Sequence, residues 1–128
     1  MHNGDGWDGN RRAVIYVRIA SGDQADRLAL ERQTSICRAA AKRHSLTVVG
    51  EYRDVGRPGH LDQCPGLQRM LDGLAESEVA FVITSDLARL SRNVGDLDEI
   101  RSRLTRAGVG LVVGNVLARM ASVVGGDA

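Results

Sequence analysis

Four short runs of aliphatic and β-branched residues recur along the chain, and helical stretches separate them. The runs are AVIYVRIA (13–20), LTVVGEY (46–52), VAFVITS (79–85) and GVGLVVGN (108–115). Continuous apolar runs of this length are typical of strands that are covered on both faces of a parallel sheet. The pattern therefore predicts a sheet of at least four strands.

The segments between these runs predict helices. Residues 66–76 follow Pro65, which suits a first helical position, and residues 93–106 are closed by Gly108, a typical helix stop. Both segments repeat apolar residues at helical spacing, whereas residues 24–43 are helical in composition. Because strands that alternate with helices are joined by right-handed crossovers, we predict an α/β fold with a mainly parallel central sheet flanked by helices.

The length of 128 residues predicts one domain that folds without disulfides or metal. Residues 1–11 are rich in Gly, Asp and Asn and are predicted to form a disordered tail. Residues 12–115 form the predicted domain, and 116–128 a short C-terminal helix and tail.

Composition limits the classes of partner. The chain has 17 basic and 16 acidic side chains, so its formal charge of +1 creates no global field and any polyanion site must be local. Aromatic residues are only 3% of the sequence, which makes base-stacking platforms unexpected. Its histidines and cysteines lack metal-ligand spacing, so we predict no metal and no cofactor. The sequence contains no signal peptide and no long apolar run, which favours a cytoplasmic protein without a membrane partner.

Three loops should meet at one edge of the sheet, because ligands of open parallel sheets bind at the carboxyl ends of the strands. These loops are residues 18–24, 53–65 and 85–92. They contain Arg18, Arg89 and Arg92, whose guanidinium groups suit phosphate oxygens. The functional interpretation is an anion site, and the alternative is a solvated rim in which the arginines pair with Asp54, Asp86 or Asp96.

Ser21 and Cys64 are two further candidate side chains in these loops. Ser21 precedes the helix at 24–43, where a serine commonly caps a helix or forms a turn. Its alternative role is a nucleophile. Cys64 is expected to lie in a mobile loop as an unreactive bystander.

Five motifs, in order and in spacing, resemble the catalytic domain of the serine recombinases (the resolvases and invertases). They are YVRIASGDQ, LERQ, RDVGRPG, CPGLQRML and LARLSRN, and together they span about residues 12–113. The resemblance implies the resolvase catalytic-domain fold and site-specific DNA strand exchange, in which a serine hydroxyl attacks the scissile phosphate and arginines balance the charge of the transition state.

The resemblance also assigns roles to individual residues. Arg18, Arg89 and Arg92 fall on the phosphate-binding arginines of the family, which makes them candidates for both catalysis and DNA binding. Gln33 falls on the family's glutamine and Asp54 on the aspartate after the second strand, and both join the predicted DNA-binding set. Ser21 is a weaker candidate for catalysis.

Four positions depart from the family pattern. Ala20 stands where the family has its nucleophilic serine, Pro58 replaces a serine, Cys64 an arginine and Ala88 an aspartate. Ser21 is one residue later, so on a strand-like backbone its side chain would point to the opposite face.

These departures favour one of two functions. In the favoured one, the domain is deficient in cleavage and acts as a DNA-phosphate-binding or dimerising partner, either as a homodimer or with an active recombinase. The alternative is an active serine recombinase, or a fragment of one, that uses Ser21 as a shifted nucleophile.

Overall fold

The computed structural model describes residues 9–19, 24–56, 61–114 and 116–118. The strands are β1 (Arg12–Ile19), β2 (Thr47–Val55), β3 (Phe81–Thr84), β4 (Gly110–Val113) and β5 (Val116–Ala118). The α-helices are α1 (Gln24–Arg43), α2 (Pro65–Asp72), α3 (Leu74–Ser77), α4 (Leu87–Leu90) and α5 (Val94–Ala107), and a 3₁₀ turn covers Leu61–Gln63. None of the helices in these ranges is long and apolar enough to cross a membrane.

The strands form one sheet in the order β2-β1-β3-β4-β5. The first four are parallel to one another, and β5 runs antiparallel to β4. This confirms the predicted α/β class and the mainly parallel sheet of at least four strands. Because β1 lies between β2 and β3, its end lies between the ends of those two strands, where the predicted site lies.

Each face of the sheet has its own core, because successive strand residues point to opposite faces. Val14 and Tyr16 pack with Leu67 of α2 and Ile100 of α5. Ala13, Ile15 and Val17 of the same strand pack with Cys37, Ala40 and Ala41 of α1. Helices therefore cover both faces, as the continuous apolar runs predicted.

The prediction of a helix that starts at residue 116 is wrong, because Val116–Ala118 is a strand. Gly114 has a φ of 59°, a conformation that suits glycine and helps the chain to reverse. The reversal pairs Val116 with Val113, so β5 satisfies backbone groups along the edge of β4. The remainder of the predicted helix and tail, residues 119–128, lies outside the described residues.

The predicted disordered N-terminal tail, residues 1–11, is also too long. Asn10 donates from its amide to the Glu78 carbonyl at 2.9 Å, and the Arg11 guanidinium lies 5.7 Å from the centre of the Phe81 ring. These contacts attach residues 10 and 11 to the fold. Residues 1–8 of the predicted tail lie outside the described residues.

Candidate functional site

The carboxyl ends of β1, β2 and β3 lie at one edge of the sheet, since the three strands are parallel and adjacent. Arg18 and Asp54 face each other in the register of β1 and β2. Residues 20–23 and 57–60 of the adjoining loops lie outside the described residues. Ala20, Ser21 and Pro58 are therefore not placed, and the role of Ser21 stays a prediction.

Gln33 holds the end of β1 from α1. The pairing of β1 with β3 covers only Ala13 to Ile15, so the backbone of Arg18 has no partner strand on that side. The Gln33 side chain accepts from the Arg18 amide at 3.1 Å and donates to the Arg18 carbonyl at 2.9 Å. The Gln33 side chain therefore makes the two hydrogen bonds with Arg18 that a neighbouring strand would otherwise make. This gives Gln33 a positioning role.

Arg18 and Arg89 are linked in both directions. Arg18 is 7% exposed, and its guanidinium donates to the Arg89 carbonyl at 3.1 Å and to the Ala88 carbonyl at 2.6 Å. In return, Nη1 of Arg89 donates to the Arg18 carbonyl at 2.9 Å. Arg89 also lies 3.5 Å from Asp86, which was one of the predicted rim pairs. These hydrogen bonds fasten α4 to the end of β1.

Arg92 occupies a different position from the other two arginines. It is exposed, and it lies in the short segment between α4 and α5. The structure thus links the buried Arg18 to the partly buried Arg89, while it presents Arg92 to solvent from the neighbouring segment.

Asp54 is buried and caps α2 from a neighbouring strand. Its two oxygens accept from the backbone amides of Gly66 at 2.8 Å and Leu67 at 3.0 Å, and one also accepts from the Tyr16 hydroxyl at 2.7 Å. A carboxylate at a helix N-terminus is favoured by the free amides and by the helix dipole. The geometry gives Asp54 a role in positioning α2, and its assignment as a DNA contact stays a prediction.

Burial raises the pKa of Tyr16, whose hydroxyl donates to this carboxylate. The hydrogen bond to Asp54 raises it further, because a nearby carboxylate disfavours the charged phenolate. Tyr16 therefore stays a neutral donor to Asp54. It was not among the residues that the sequence singled out, although a tyrosine within a buried strand needs a hydrogen-bond partner.

The expectation that Cys64 lies in a mobile loop is wrong. Cys64 is fully buried at the residue before α2, and its side chain makes no capping hydrogen bond to that helix. A small apolar side chain fits here because the segment is drawn inward by the Asp54 contacts to Gly66 and Leu67. The position that holds an arginine in the motif of the resemblance therefore holds a core residue in this chain.

Ser91, Asn93 and Asp96 form a hydrogen-bonded group beside Arg92 that the sequence analysis did not predict. The Asn93 side chain accepts from the Asp96 amide at 2.9 Å, which makes Asn93 the N-cap of α5. The available signal was the Asn-x-x-Asp spacing, which resembles a helix-capping box. Among the residues that the structure describes, no three His, Cys, Asp or Glu side chains are arranged to hold a metal ion.

Comparison with known proteins gives a consistent result. Residues 13–122 match the family model described as Resolvase, N terminal domain. The C-terminal catalytic domain of ISC1926 TnpA, an IS607-like serine recombinase, is 29% identical with a TM-score of 0.71, and the match covers 80% of this chain and 68% of that one. A search among curated proteins finds no significant match.

Two further solved structures share the fold at lower identity. The N-terminal catalytic domain of TP901-1 integrase is 24% identical with a TM-score of 0.73, covering 81% of this chain and 78% of that one. A resolvase family site-specific recombinase from Streptococcus pneumoniae is 23% identical with a TM-score of 0.71, covering 88% of this chain and 85% of that one.

Proposed function

The chain belongs to the family of resolvase N-terminal domains, the catalytic domains of serine recombinases, and we propose that it is a cleavage-deficient member of that family. It acts by binding DNA phosphates or by pairing with another recombinase subunit. The observation that carries this proposal is Ala20, which stands four residues after Tyr16, where the family motif has its serine.

The proposal follows from the chemistry of strand cleavage. A serine hydroxyl attacks phosphorus, the bond from phosphorus to one sugar oxygen breaks, and that oxygen leaves as a free hydroxyl that carries a proton. The phosphate of the other DNA end stays attached as a phosphoserine ester. An alanine methyl group has no lone pair with which to attack. Cys64 removes a cation from the same motif set, so the negative charge that develops on the phosphate has fewer partners. Ala88 removes the carboxylate that would orient an arginine.

The geometry of the arginines supports binding rather than catalysis. The Arg18 guanidinium donates to the carbonyls of Ala88 and Arg89, at the position where the motif's aspartate is absent. Arg92 is exposed and keeps a guanidinium at the surface beside this pair. Arg92 is therefore the proposed phosphate ligand, and Arg18 and Arg89 support the segment that precedes it.

Exposed apolar side chains support the pairing role. Leu87 begins α4 with 46% exposure, and Val94 begins α5 with 74% exposure, so both lie near Arg92 in the chain. A contiguous exposed apolar patch marks a protein contact, and we propose that Leu87 and Val94 belong to one. A partner subunit could therefore cover the same edge that carries the proposed phosphate ligand.

A covalent trapping assay that needs no known target site tests the loss of cleavage. The purified chain is incubated with fragmented genomic DNA, denatured, digested with nuclease and analysed by mass spectrometry for nucleotide adducts on serine. We expect no adduct, whereas a family member with serine in the motif, treated in parallel, forms one. An adduct on Ser21 that disappears in Ser21→Ala would instead establish the alternative, an active enzyme with a shifted nucleophile.

A binding titration tests the phosphate role. The affinity for a duplex of mixed sequence is measured by fluorescence anisotropy over a range of salt concentrations. We expect Arg92→Ala to lower the slope of log affinity against log salt by about 1, because one phosphate contact is lost. Arg106→Ala is the matched control, since Arg106 is an exposed arginine at the other end of α5 whose guanidinium donates to Ser102. Equal slopes for the wild type and both variants would contradict the proposal.

A further inference from the structure

The carboxylate of Asp96 reaches outside its own helix. It lies in the first turn of α5, where a capping box would return it to the backbone amide of the N-cap residue, Asn93. Instead, the Asn93 amide donates to the Ser91 hydroxyl at 2.9 Å. One Asp96 oxygen accepts from the Leu61 amide at 2.9 Å and lies 3.5 Å from the Ser91 hydroxyl oxygen. Asp96 therefore joins the segment before α2 to the segment before α5.

Arg92 lies between two residues of this group. Ser91 is 1% exposed, and both Ser91 and Asn93 have extended backbones, with φ angles of −176° and −96°. The hydrogen bond from the Asn93 amide to the Ser91 hydroxyl spans Arg92. The backbone that carries the exposed guanidinium is thus held on both sides, which lowers the ordering cost when it contacts a ligand.

We infer that Asp96 is a positioning residue for Arg92: its carboxylate holds the Leu61 segment and the Ser91–Asn93 segment together and so keeps Arg92 directed at DNA phosphate. The part of this inference that concerns DNA rests on the proposed function, whereas the link between the two segments does not. An acidic side chain beside a polyanion site ordinarily weakens binding through repulsion. Positioning by Asp96 predicts the opposite sign, which makes the two effects separable.

Salt-dependent DNA binding is the first arm of the test. We expect Asp96→Ala to lower the salt slope by about 1, as Arg92→Ala does, and the double variant to show no further loss. Asp98→Ala is the matched control, because Asp98 carries the same charge on the same helix but is exposed and pairs with Arg101. Asp96→Asn keeps a side-chain oxygen for Leu61 and should bind at least as tightly as the wild type. Tighter binding by Asp96→Ala would show that Asp96 acts only by repulsion and would overturn the inference.

Hydrogen exchange of the free protein is the second arm, and it needs no DNA. In Asp96→Ala we expect faster exchange at the amides of both Leu61 and Asn93, with wild-type rates on β1 and β4 to show that the fold is intact. Asp96→Asn and Asp98→Ala should exchange at wild-type rates at both amides. Unchanged protection at Leu61 and Asn93 in Asp96→Ala would overturn the link. If the wild type shows no salt-dependent binding while the exchange results hold, the proposed function fails and the link between the segments stands.

Discussion

At the scale of single residues, Arg18 and Asp54 use their polar atoms on the protein itself. They face each other across β1 and β2, yet Arg18 donates to carbonyls of α4 and Asp54 accepts from amides of α2. The resemblance to the serine recombinases assigned Arg18 and Asp54 to a DNA site from their positions in the motifs alone. Their hydrogen bonds give both residues a structural role that does not depend on cleavage.

Gly66 gives a direct test of the Asp54 contact. A Cβ at this position would lie 2.4 Å from the Arg53 carbonyl oxygen and 3.0 Å from an Asp54 carboxylate oxygen. We expect Gly66→Ala to lower the free energy of unfolding by about 2 kcal/mol, since α2 must move away from β2. Gly50→Ala is the control, because its Cβ would meet Val14 at an ordinary 3.7 Å. Urea unfolding measures both variants, and equal stability would contradict the close approach.

Cys37 predicts how stability depends on pH. Burial raises the pKa of Cys37 from its ordinary 9.0 to about 12, with smaller contributions from Glu51 and Asp86. The unfolded chain therefore releases this proton first, so its contribution to stability is complete below pH 9 and is lost as pH rises towards 12. We expect the urea midpoint to fall across this window. In Cys37→Ala the decline should begin at a higher pH. A pH profile unchanged from the wild type would refute the role of Cys37.

At the scale of secondary-structure elements, α4 is a single helical turn that depends on its neighbours. A helix this short gains little from its own hydrogen bonds. Leu90 anchors α4 in the core, and Arg18 donates to the carbonyls of Ala88 and Arg89 at the exit of the turn. The position of α4 is therefore decided by contacts with β1.

Arg18→Met tests this dependence. We expect a loss of about 2 kcal/mol in the free energy of unfolding, because the carbonyls of Ala88 and Arg89 lose a charged donor. Arg92→Met should change it by no more than about 0.5 kcal/mol, since Arg92 is exposed. Hydrogen exchange should show the Arg89 and Ser91 amides, which close the turn, opening faster in Arg18→Met alone. Equal protection in both variants would mean that α4 holds its place without Arg18.

At the scale of the whole molecule, the edge strand β5 and the exposed apolar side chains concern assembly. A helix over residues 116–128 would place Val116, Met120 and Val123 on one apolar stripe, and from that stripe the sequence predicts self-association. Val116 lies instead in a strand with 65% exposure, and Met120 and Val123 lie outside the described residues. β5 is the last strand in the order of the described sheet, and an edge strand can pair with another chain, so it offers a different basis for the same expectation.

Light scattering over a wide range of concentrations measures this directly. We expect the mass to rise from that of one chain towards that of two as the concentration increases. Val94→Glu should shift the rise to higher concentration if the edge near Arg92 forms the contact, whereas Val116→Glu should do so if β5 forms it. A single-chain mass at every concentration would refute self-association.

Restoring cleavage should require substitutions in several loops at once. Ala20→Ser alone should stay inactive, because residues that act as a unit give strongly non-additive effects on rate. Ala20→Ser together with Pro58→Ser, Cys64→Arg and Ala88→Asp, fused to a DNA-binding domain and given its matching site, should form a detectable phosphoserine linkage. Ser21→Ala should change nothing in either background. Because Cys64 is buried, the arginine must be accommodated by an outward movement before α2, so folding of the variant is checked first by thermal unfolding.

The sequence by itself determined the class of fold, because the period of apolar residues decides where strands and helices form and their alternation decides that the sheet is mainly parallel. It did not determine β5, since three residues form a strand only when an edge is available to pair with. The burial of Cys64 and the partners of Asp54, Arg18 and Asp96 were likewise decided by the tertiary structure. Arg18 and Arg89 are 71 positions apart, and hydrogen bonds over such separations depend on how strands and helices are placed in space. The local sequence pattern around either residue does not specify that placement.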